Sequence, residues 1–393
     1  MNPTIEKIVN LLFEDLVETD ETFAIREEIL HNCQDRYQDL RDAGISEDDA
    51  IHAVVDSLNG MEEMLSEYPR KESQPQPGPE ADAQMENKEP GEWSYDPARS
   101  PIREIRLSHM GNVDVEVEAS FDDLIHVECD NTKLGLMTAV SDGVLSIGLS
   151  ESPEPHVQFS ADLEFDLKSI GRLFEKICRK FTALTESGTL TLSIPDSLRP
   201  VLHIGTASGN VTIGSMHLER LIIGSASGDV ELDSIAVQTE LRVSSASGDI
   251  TVSGSQAQQM QLSSTSGDIE ASNCMVNENV RLNTTSGDIG WCRQCTTLNA
   301  SSISGDITLE GSAESISFHT VSGDVEISPA NGHPLAISGN TTSGDVSVYL
   351  PKGTHPDVSC NTVSGDIHNH AGSMPGAPVT VKISTVSGDI EVN

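Results

Sequence analysis

Aromatic residues, bases and long apolar runs are all scarce in this sequence. Phe, Trp and Tyr make up 4% of its 393 residues, a composition that favours thin, strand-rich layers over a thick aromatic core. Lys and Arg number 23 against 62 Asp and Glu, which gives a formal net charge of −39. Such a chain repels nucleic-acid phosphate as a whole, so we expect no nucleic-acid partner. No apolar run reaches the roughly 18 residues that a spanning helix needs, so none is predicted.

Signals for secretion and for catalysis are also missing. Met1–Asp20 has no basic segment, and acidic residues interrupt its apolar ones, so no signal peptide is predicted. Seven cysteines at irregular spacings indicate mostly reduced thiols and not a secreted disulfide framework. No phosphate loop, HExxH or Gly-x-Ser-x-Gly motif occurs. We therefore predict a cytoplasmic or peripherally envelope-associated protein that is not an enzyme and holds no cofactor.

The sequence does contain a tetrapeptide, Ser-Gly-Asp-Ile or a close variant, ten times in its C-terminal half. Successive glycines are 18 to 23 residues apart, and a period near 20 is typical of a stacked repeat architecture. Each glycine is followed by Asp, except that Asn210 follows the first; we call these acids the Asp column. The predicted structural corner residues are Gly209, Gly228, Asp229, Gly248, Asp249, Gly267, Asp268, Gly287, Asp288, Gly305, Asp306, Gly323, Asp324, Gly344, Asp345, Gly365, Asp366, Gly388 and Asp389.

Each repeat is predicted to be a strand, a tight corner at the glycine and a second strand. The residue seven positions before the glycine is always apolar, and the residue two after it is always Val or Ile. The residue three before it is always Ser or Thr. Stacked units of this kind bury continuous Val, Ile and Leu columns. The predicted fold class is mainly β, a single-stranded parallel β-solenoid or β-helix of about ten 20-residue coils over residues 201–393.

The corner residues have a structural and a cation-binding interpretation. Glycine suits a positive φ or a close approach of neighbouring backbones. Carboxylates stacked at about 4.8 Å repel each other by about 0.9 kcal/mol in water, so they must be solvated, bonded to amides or screened by cations. We expect a structural corner. A calcium column is the alternative, although the Gly-Gly-x-Gly-x-Asp nonapeptide of calcium-binding β-helices is absent.

Residues 102–200 are predicted to form irregular early coils of the same body. Period-two alternation begins here, and degenerate corners are predicted at Gly111-Asn112-Val113 and Asp142-Gly143-Val144. A clearer corner, Ser187-Gly188-Thr189, lies one period before Gly209.

A basic helical insertion is predicted at about 167–184. Its apolar residues recur at helical spacing, and bases lie between them: Lys168, Arg172, Lys176, Arg179 and Lys180. A basic amphipathic helix can make peripheral contact with an anionic membrane or bind an acidic partner. The alternative is a helix that packs on the solenoid with its bases facing the acidic body.

The N-terminal part is predicted to be helical and then unstructured. Residues 1–68 show three short amphipathic segments, which predict a small three-helix domain. This segment resembles the helical domains that precede bacterial permeases and membrane-associated regulators, and the alternative is a generic bundle. By that resemblance, we expect it to bind a protein partner. Residues 69–101 combine seven prolines with acidic and polar residues, which predicts a disordered linker.

Three cysteines and the last residues of the sequence are further candidate sites. Cys292 and Cys295 form a CxxC after a corner, where redox chemistry is not expected because no helix follows. Cys274 lies about one coil earlier, so a disulfide or a three-cysteine metal site with these two is an alternative to free thiols. Ile390–Asn393 follows the last corner directly, which predicts a bare final coil and self-association there.

The Ser-Gly-Asp-Ile/Val corners and the run Leu190–Pro195 resemble the bacterial "putative adhesin" β-solenoid domain family over residues 102–393. Some members combine a small helical domain with the solenoid and act in envelope stress, and the layout is similar to that of a daptomycin-sensing surface protein. The resemblance implies a non-enzymatic interaction or regulatory protein linked to the cell envelope. A cytoplasmic scaffold without an envelope role is one alternative, and a β-helix enzyme acting on carbohydrate is the other.

Overall fold

The computed structural model describes residues 91–108, 110–150, 186–330 and 335–393, together with Arg26 and Leu30. Contacts divide the chain into two units, Met1–Ala83 and Gln84–Asn393. The predicted three-helix domain and the predicted insertion at 167–184 lie outside the described residues. Within the described part, no helix is long and apolar enough to cross a bilayer.

Seven strands precede the regular repeats. They are β1 (Glu92–Tyr95), β2 (Glu104–Leu107), β3 (Asn112–Ser120), β4 (Ile125–Cys129), β5 (Gly135–Ser141), β6 (Val144–Ser150) and β7 (Ser187–Pro195). The period-two alternation predicted for this region is confirmed, since β2, β3 and β4 each bury every second residue.

Each regular coil contributes one strand before its corner and one after it. The strands before the corners are β8 (Val201–Thr206), β11 (Arg220–Ser225), β14 (Glu240–Ser245), β17 (Gln259–Ser263), β19 (Asn279–Asn283), β21 (Thr297–Ser301), β23 (Ser315–His319), β25 (Ala336–Asn340), β27 (Asp357–Asn361) and β29 (Thr380–Ser384).

The strands after the corners, with three short strands on a third side, complete the coils. They are β9 (Val211–Gly214), β10 (His217–Leu218), β12 (Val230–Asp233), β13 (Ala236–Val237), β15 (Ile250–Ser253), β16 (Gln256–Ala257), β18 (Ile269–Val276), β20 (Ile289–Gln294), β22 (Ile307–Ser312), β24 (Val325–Pro329), β26 (Val346–Val348), β28 (Ile367–Asn369) and β30 (Ile390–Val392).

These strands form two sheets that enclose one core. The 13-stranded sheet, which we call sheet I, holds the strands before the corners, and the 17-stranded sheet II holds those after them. Successive coils pair in parallel and in phase, as Leu221 with Leu241 and Val230 with Ile250 show. Their apolar side chains fill the space between the sheets, and each fully buried Leu or Ile contributes about 1.5–3 kcal/mol. The predicted parallel β-solenoid is therefore confirmed.

The N-terminal end of the solenoid is closed by antiparallel strands. β5 pairs with β6, β4 pairs with β7, and β1 pairs with β4. Asp142 and Gly143 both have positive φ and join β5 to β6 as a two-residue hairpin turn, so the solenoid corner predicted there is wrong. β1 buries Trp93, so the folded body starts before residue 102 and the predicted linker is too long.

One early coil is inserted between its neighbours at this end. β2 lies between β6 and β8, and β3 lies between β7 and β9. Gly188 is the second residue of β7 and lies opposite Val113 of β3, so it does not adjoin Gly209 as its one-period spacing predicted. Val113, not Gly111, faces Gly209, so the corner predicted at Gly111 is out of register by two residues.

The C-terminal end is interleaved in the same way. β29 lies between β25 and β27, and β30 lies between β26 and β28. The last strand of the chain is therefore internal, and Ile390 and Val392 are fully buried. The predicted bare coil at Ile390–Asn393 is wrong. The outermost coil is the preceding one in sequence, residues 357–369, which we call the end coil.

Candidate functional site

Close backbone packing explains the glycine at every regular corner. A Cβ added at Gly287 would lie 2.1 Å from the carbonyl oxygen of Gly267 in the preceding coil. The same approach recurs along the column, at 1.8 to 2.2 Å for the ten corner glycines. The corner glycines are not among the residues with positive φ. Of the two predicted reasons for glycine, the close approach of backbones is therefore the one that applies.

At nine corners, the hydroxyl three residues before the glycine accepts the N–H of that glycine. Ser302 accepts the Gly305 N–H at 2.9 Å and donates to the Gly287 carbonyl at 3.2 Å. Ser302 is fully buried, so water cannot replace either bond. Ser264, Thr284 and Thr362 make the same pair of bonds. The need for a side-chain hydroxyl that accepts the glycine N–H explains why the position is always Ser or Thr.

The Asp column is bonded to backbone amides from end to end. Oδ1 of Asp288 accepts the Asp306 N–H at 2.8 Å, and Oδ1 of Asp268 accepts the Asp288 N–H at the same distance. Asn210 does the same for Asp229 at 2.9 Å. Among the described residues, no group of three or more acidic, His or Cys side chains is arranged to hold a metal ion. The geometry favours the structural interpretation of the column.

Calcium is therefore expected to have little effect on stability. Since one oxygen of each carboxylate already accepts an amide hydrogen, the column presents only exposed second oxygens at a spacing fixed by the strands. Adding millimolar calcium should leave the melting temperature within about one degree of that in matched magnesium. A rise of many degrees specific to calcium would contradict the structural interpretation.

The outer face of sheet II is acidic. Three residues after each glycine, one outward row runs along the solenoid; we call it the acidic row. One or two uncharged residues separate each glutamate from the next, and the row contains no Lys or Arg. In spatial order the row is Glu116, Thr212, Glu231, Thr251, Glu270, Gly290, Thr308, Glu326, Ser347, Glu391 and His368.

The outer face of sheet I has the opposite character. Six residues before each glycine, a row on this face carries bases, uncharged polar residues and one buried Ile but no acid; we call it the basic row. In spatial order it is Arg106, His203, Ile222, Arg242, Gln261, Arg281, Asn299, Ser317, Ser338, Lys382 and Ser359.

Ion pairs neutralise two of the acids near the basic row. Arg106 contacts Glu104 at 2.5 Å, and Arg220 pairs with Glu240. His203 is 3.4 Å from Glu104, but burial lowers its pKa, which favours the neutral ring. Within the described residues, no ion pair involves Arg242, Arg281 or Lys382. These three bases are available to an anionic surface.

The basic row is not among the predicted sites, although its signal is present in the sequence. The position six before the glycine carries Arg, Lys, His, Ile or an uncharged polar residue in every repeat and never Asp or Glu. In a chain with 62 acids against 23 bases, a column without acid is notable. The residue types at the outward-facing positions of the repeat are therefore enough to predict the basic row.

The three candidate cysteines are free thiols. Cys274 and Cys295 are buried, Cys292 is half-buried, and none of the three is in a disulfide. Burial raises the pKa of Cys274 to about 11 and that of Cys295 to about 12, so both stay protonated at neutral pH. The disulfide predicted as an alternative is absent in this part of the chain. The three thiols also form no metal-binding group among the described residues.

The predicted surface residues Lys168, Arg172, Lys176, Arg179 and Lys180 lie outside the described residues. Their segment lies between β6 and β7 in the sequence. Their role as a membrane or partner surface stays a prediction.

Comparison with known proteins identifies one family. The model of a family described as Toastrack DUF4097 matches residues 102–393, which include every regular corner. Comparison with curated proteins finds no match. One similar solved structure is described as a "putative cell adhesion protein" from Clostridium sporogenes ATCC 15579, with 11% identity and a TM-score of 0.21, over 77% of this chain and 99% of that one. Another is described as a "Putative lipid binding protein" from Parabacteroides distasonis ATCC 8503, with 18% identity and a TM-score of 0.30, over 78% and 98%.

Proposed function

Because the chain belongs to the Toastrack DUF4097 family, we propose that it is a non-enzymatic interaction protein of the bacterial cell envelope. In this proposal the solenoid is a rigid body that docks its basic row on an anionic membrane surface. The family is a β-solenoid family and not a known enzyme family. The N-terminal region binds a protein partner, and the finer role we propose is in the response to envelope stress.

The observation that carries this proposal is the charge difference between the two broad faces. Sheet I and sheet II enclose the same core, so their outer faces point in opposite directions. The acidic row and the adjoining Asp column make one side strongly negative, and an anionic surface repels it. The basic row gives the other side three bases without an ion pair among the described residues, and each base near an anionic membrane contributes about 1 kcal/mol. Of the two described faces, the outer face of sheet I is therefore the one that electrostatics favours for docking on such a membrane.

The sequence holds a second concentration of bases. Five of the chain's 23 bases fall within residues 168–180. In the proposal, these bases and the basic row together supply the attraction to the membrane. Both contributions are electrostatic, so binding should weaken as salt is raised.

Removing the bases of the basic row is expected to weaken membrane binding. The variant Arg242→Gln, Arg281→Gln, Lys382→Gln loses three charges, which at about 1 kcal/mol each is on the order of 100-fold in partitioning. The measurement is co-sedimentation of the full chain with vesicles that contain phosphatidylglycerol, at low and at physiological salt. Vesicles of phosphatidylcholine alone should bind neither protein.

The matched control changes the net charge equally on the other face. The variant Thr212→Glu, Thr308→Glu, Ser347→Glu also takes the net charge from −39 to −42, but it does so on the acidic row. It should bind vesicles nearly as well as the unchanged chain. Equal loss in both variants would show that only total charge matters. No binding by the unchanged chain, together with recovery in the cytosolic fraction of cells, would favour the cytoplasmic scaffold.

A further inference from the structure

The end coil is an incomplete layer of the solenoid. β27 and β28 each have one neighbouring strand, β29 and β30 respectively, in the part of the chain that the structure describes. Ile367 occupies the position two after the glycine, where the residues of the other regular coils are at most 2% exposed, yet it is 42% exposed. Val363, two residues before the corner glycine, is 81% exposed, against 37–52% for Ile303, Val321 and Val386 at the same position of inner coils. An apolar position that is buried in every other coil is open here.

The open edge of β28 offers unused backbone groups. The Asp366 carbonyl accepts the Ile390 N–H at 2.9 Å, and the His370 N–H donates to the Val392 carbonyl at 2.7 Å. By the alternation of a parallel strand, the backbone groups of Ile367 and Asn369 point away from β30. The edge of β27 is partly closed, since the Ser373 hydroxyl accepts the Val358 N–H at 3.1 Å. β28 is therefore the strand that can accept a neighbour.

The Asp column also ends at this coil. Oδ1 of Asp389 accepts the Asp366 N–H at 2.7 Å, which continues the pattern of the inner coils. The Asp366 carboxylate is the last of the series, and within the described residues it has no donor. It faces the open side, where an additional layer would supply one.

Charge makes this end suitable for a second copy of the chain. Residues 352–382 contain two Lys and two Asp and no other Lys, Arg, Asp or Glu, so their formal charge is zero, whereas the whole chain carries −39. Two copies repel each other least where they meet through this segment. An open edge strand, even one as short as β28, presents unpaired N–H and C=O groups that can pair with another chain.

We propose that two copies associate through β28, edge to edge and antiparallel, about a two-fold axis at His368. In this register the unpaired backbone groups of both residues find partners. Ile367 lies opposite Asn369 of the partner subunit, and Asn369 lies opposite Ile367 of the partner subunit. It also sets Asp366 opposite His370 of the partner subunit, whose ring can donate the hydrogen bond that the carboxylate lacks. The open edge of β28 is independent of the basic row, so the dimer and the membrane contact can fail separately.

The dimer is tested by sedimentation velocity of the full chain over a range of concentrations. The unchanged chain should show a concentration-dependent dimer, and Ile367→Lys should raise the dissociation constant on the order of tenfold or more because it sets two like charges at the edge. The matched control is Ile303→Lys, which changes an exposed apolar residue of an inner coil. It should leave the dimer intact. A monomer at every concentration, or equal dissociation by both variants, would overturn the proposal.

Disulfide trapping tests the register. Residues directly opposite in an antiparallel pair have Cα atoms about 4.5–5.5 Å apart, which a disulfide can span. His368→Cys should therefore give a covalent dimer on mild oxidation, with peptide mapping linking the two introduced thiols. Thr308→Cys introduces a thiol at the same position of an inner coil and should not. A disulfide between the introduced thiol and a different residue would exclude the proposed edge pairing. Equal formation of covalent dimer by Thr308→Cys would exclude it as well.

Discussion

Gly287→Ala is expected to destabilise the solenoid by about 4 kcal/mol or more, which places it among the most damaging single substitutions. The added Cβ would lie 2.1 Å from the Gly267 carbonyl oxygen and 2.5 Å from its carbon. Both are backbone atoms held in parallel sheets on either side of the corner. The clash can be relieved only by separating two coils, and that would also break the hydrogen bond between Asp268 and the Asp288 N–H.

The control for this substitution is Gly214→Ala. An added Cβ at Gly214 meets no atom within 4 Å, and Gly214 has no positive φ. Restricting the unfolded chain there should stabilise the protein by about 0.4–1 kcal/mol or leave it unchanged. Thermal and denaturant unfolding of both variants measures the difference. Similar stability of the two variants would show that the backbones do not approach as closely as the structure indicates.

The corner could be predicted because its constraints repeat in the sequence. Glycine, the preceding hydroxyl and the following Val or Ile recur in all ten repeats, so the strands, their buried sides and their parallel stacking follow from counting positions. The local sequence does not decide between positive φ and close approach as the reason for glycine. Only the position of the Gly267 carbonyl against Gly287 does.

The ends of the solenoid could not be predicted from the repeat. Counting assumes that coils stack in chain order, but the coil containing Val113 and Asp114 is inserted against Gly209, where the glycine has no counterpart. Asp114 still accepts the Asn210 N–H at 2.7 Å, so the column continues without its usual motif. Likewise, nothing in Ile390–Asn393 indicates that the last coil in the sequence is stacked between the two coils that precede it. Such interleaving is decided by tertiary pairing of strands that are far apart in sequence.

The charged faces illustrate a different limit. Arg242, Arg281 and Lys382 are separated by 39 and 101 positions in the chain, so no local window contains two of them. They share a face only because each coil returns the same position to the same side of sheet I. Once the period is known, this row can be read from the sequence, whereas the ion pair that uses Arg220 requires the structure.

Replacing alternate members of the Asp column by Asn is expected to raise stability at low salt. Asp249→Asn, Asp288→Asn and Asp324→Asn together remove the repulsion in six neighbouring pairs from Asp229 to Asp345. At about 0.9 kcal/mol per pair in water, this amounts to roughly 5 kcal/mol before screening. The amide oxygen of Asn can accept the same backbone N–H, as Asn210 already does for Asp229 at 2.9 Å.

The acidic row supplies the control for this prediction. Glu231→Gln, Glu270→Gln and Glu326→Gln also take the net charge from −39 to −36, but these glutamates are separated by uncharged residues, at roughly twice the 4.8 Å strand spacing or more. Their removal should raise the melting temperature less than the column variant at low salt. The difference between the two variants should shrink as salt is added, because screening weakens repulsion between exposed carboxylates. If the column variant instead melts at a lower temperature than the unchanged chain, the carboxylates are required as charged groups, and a cation-binding role would replace the structural one.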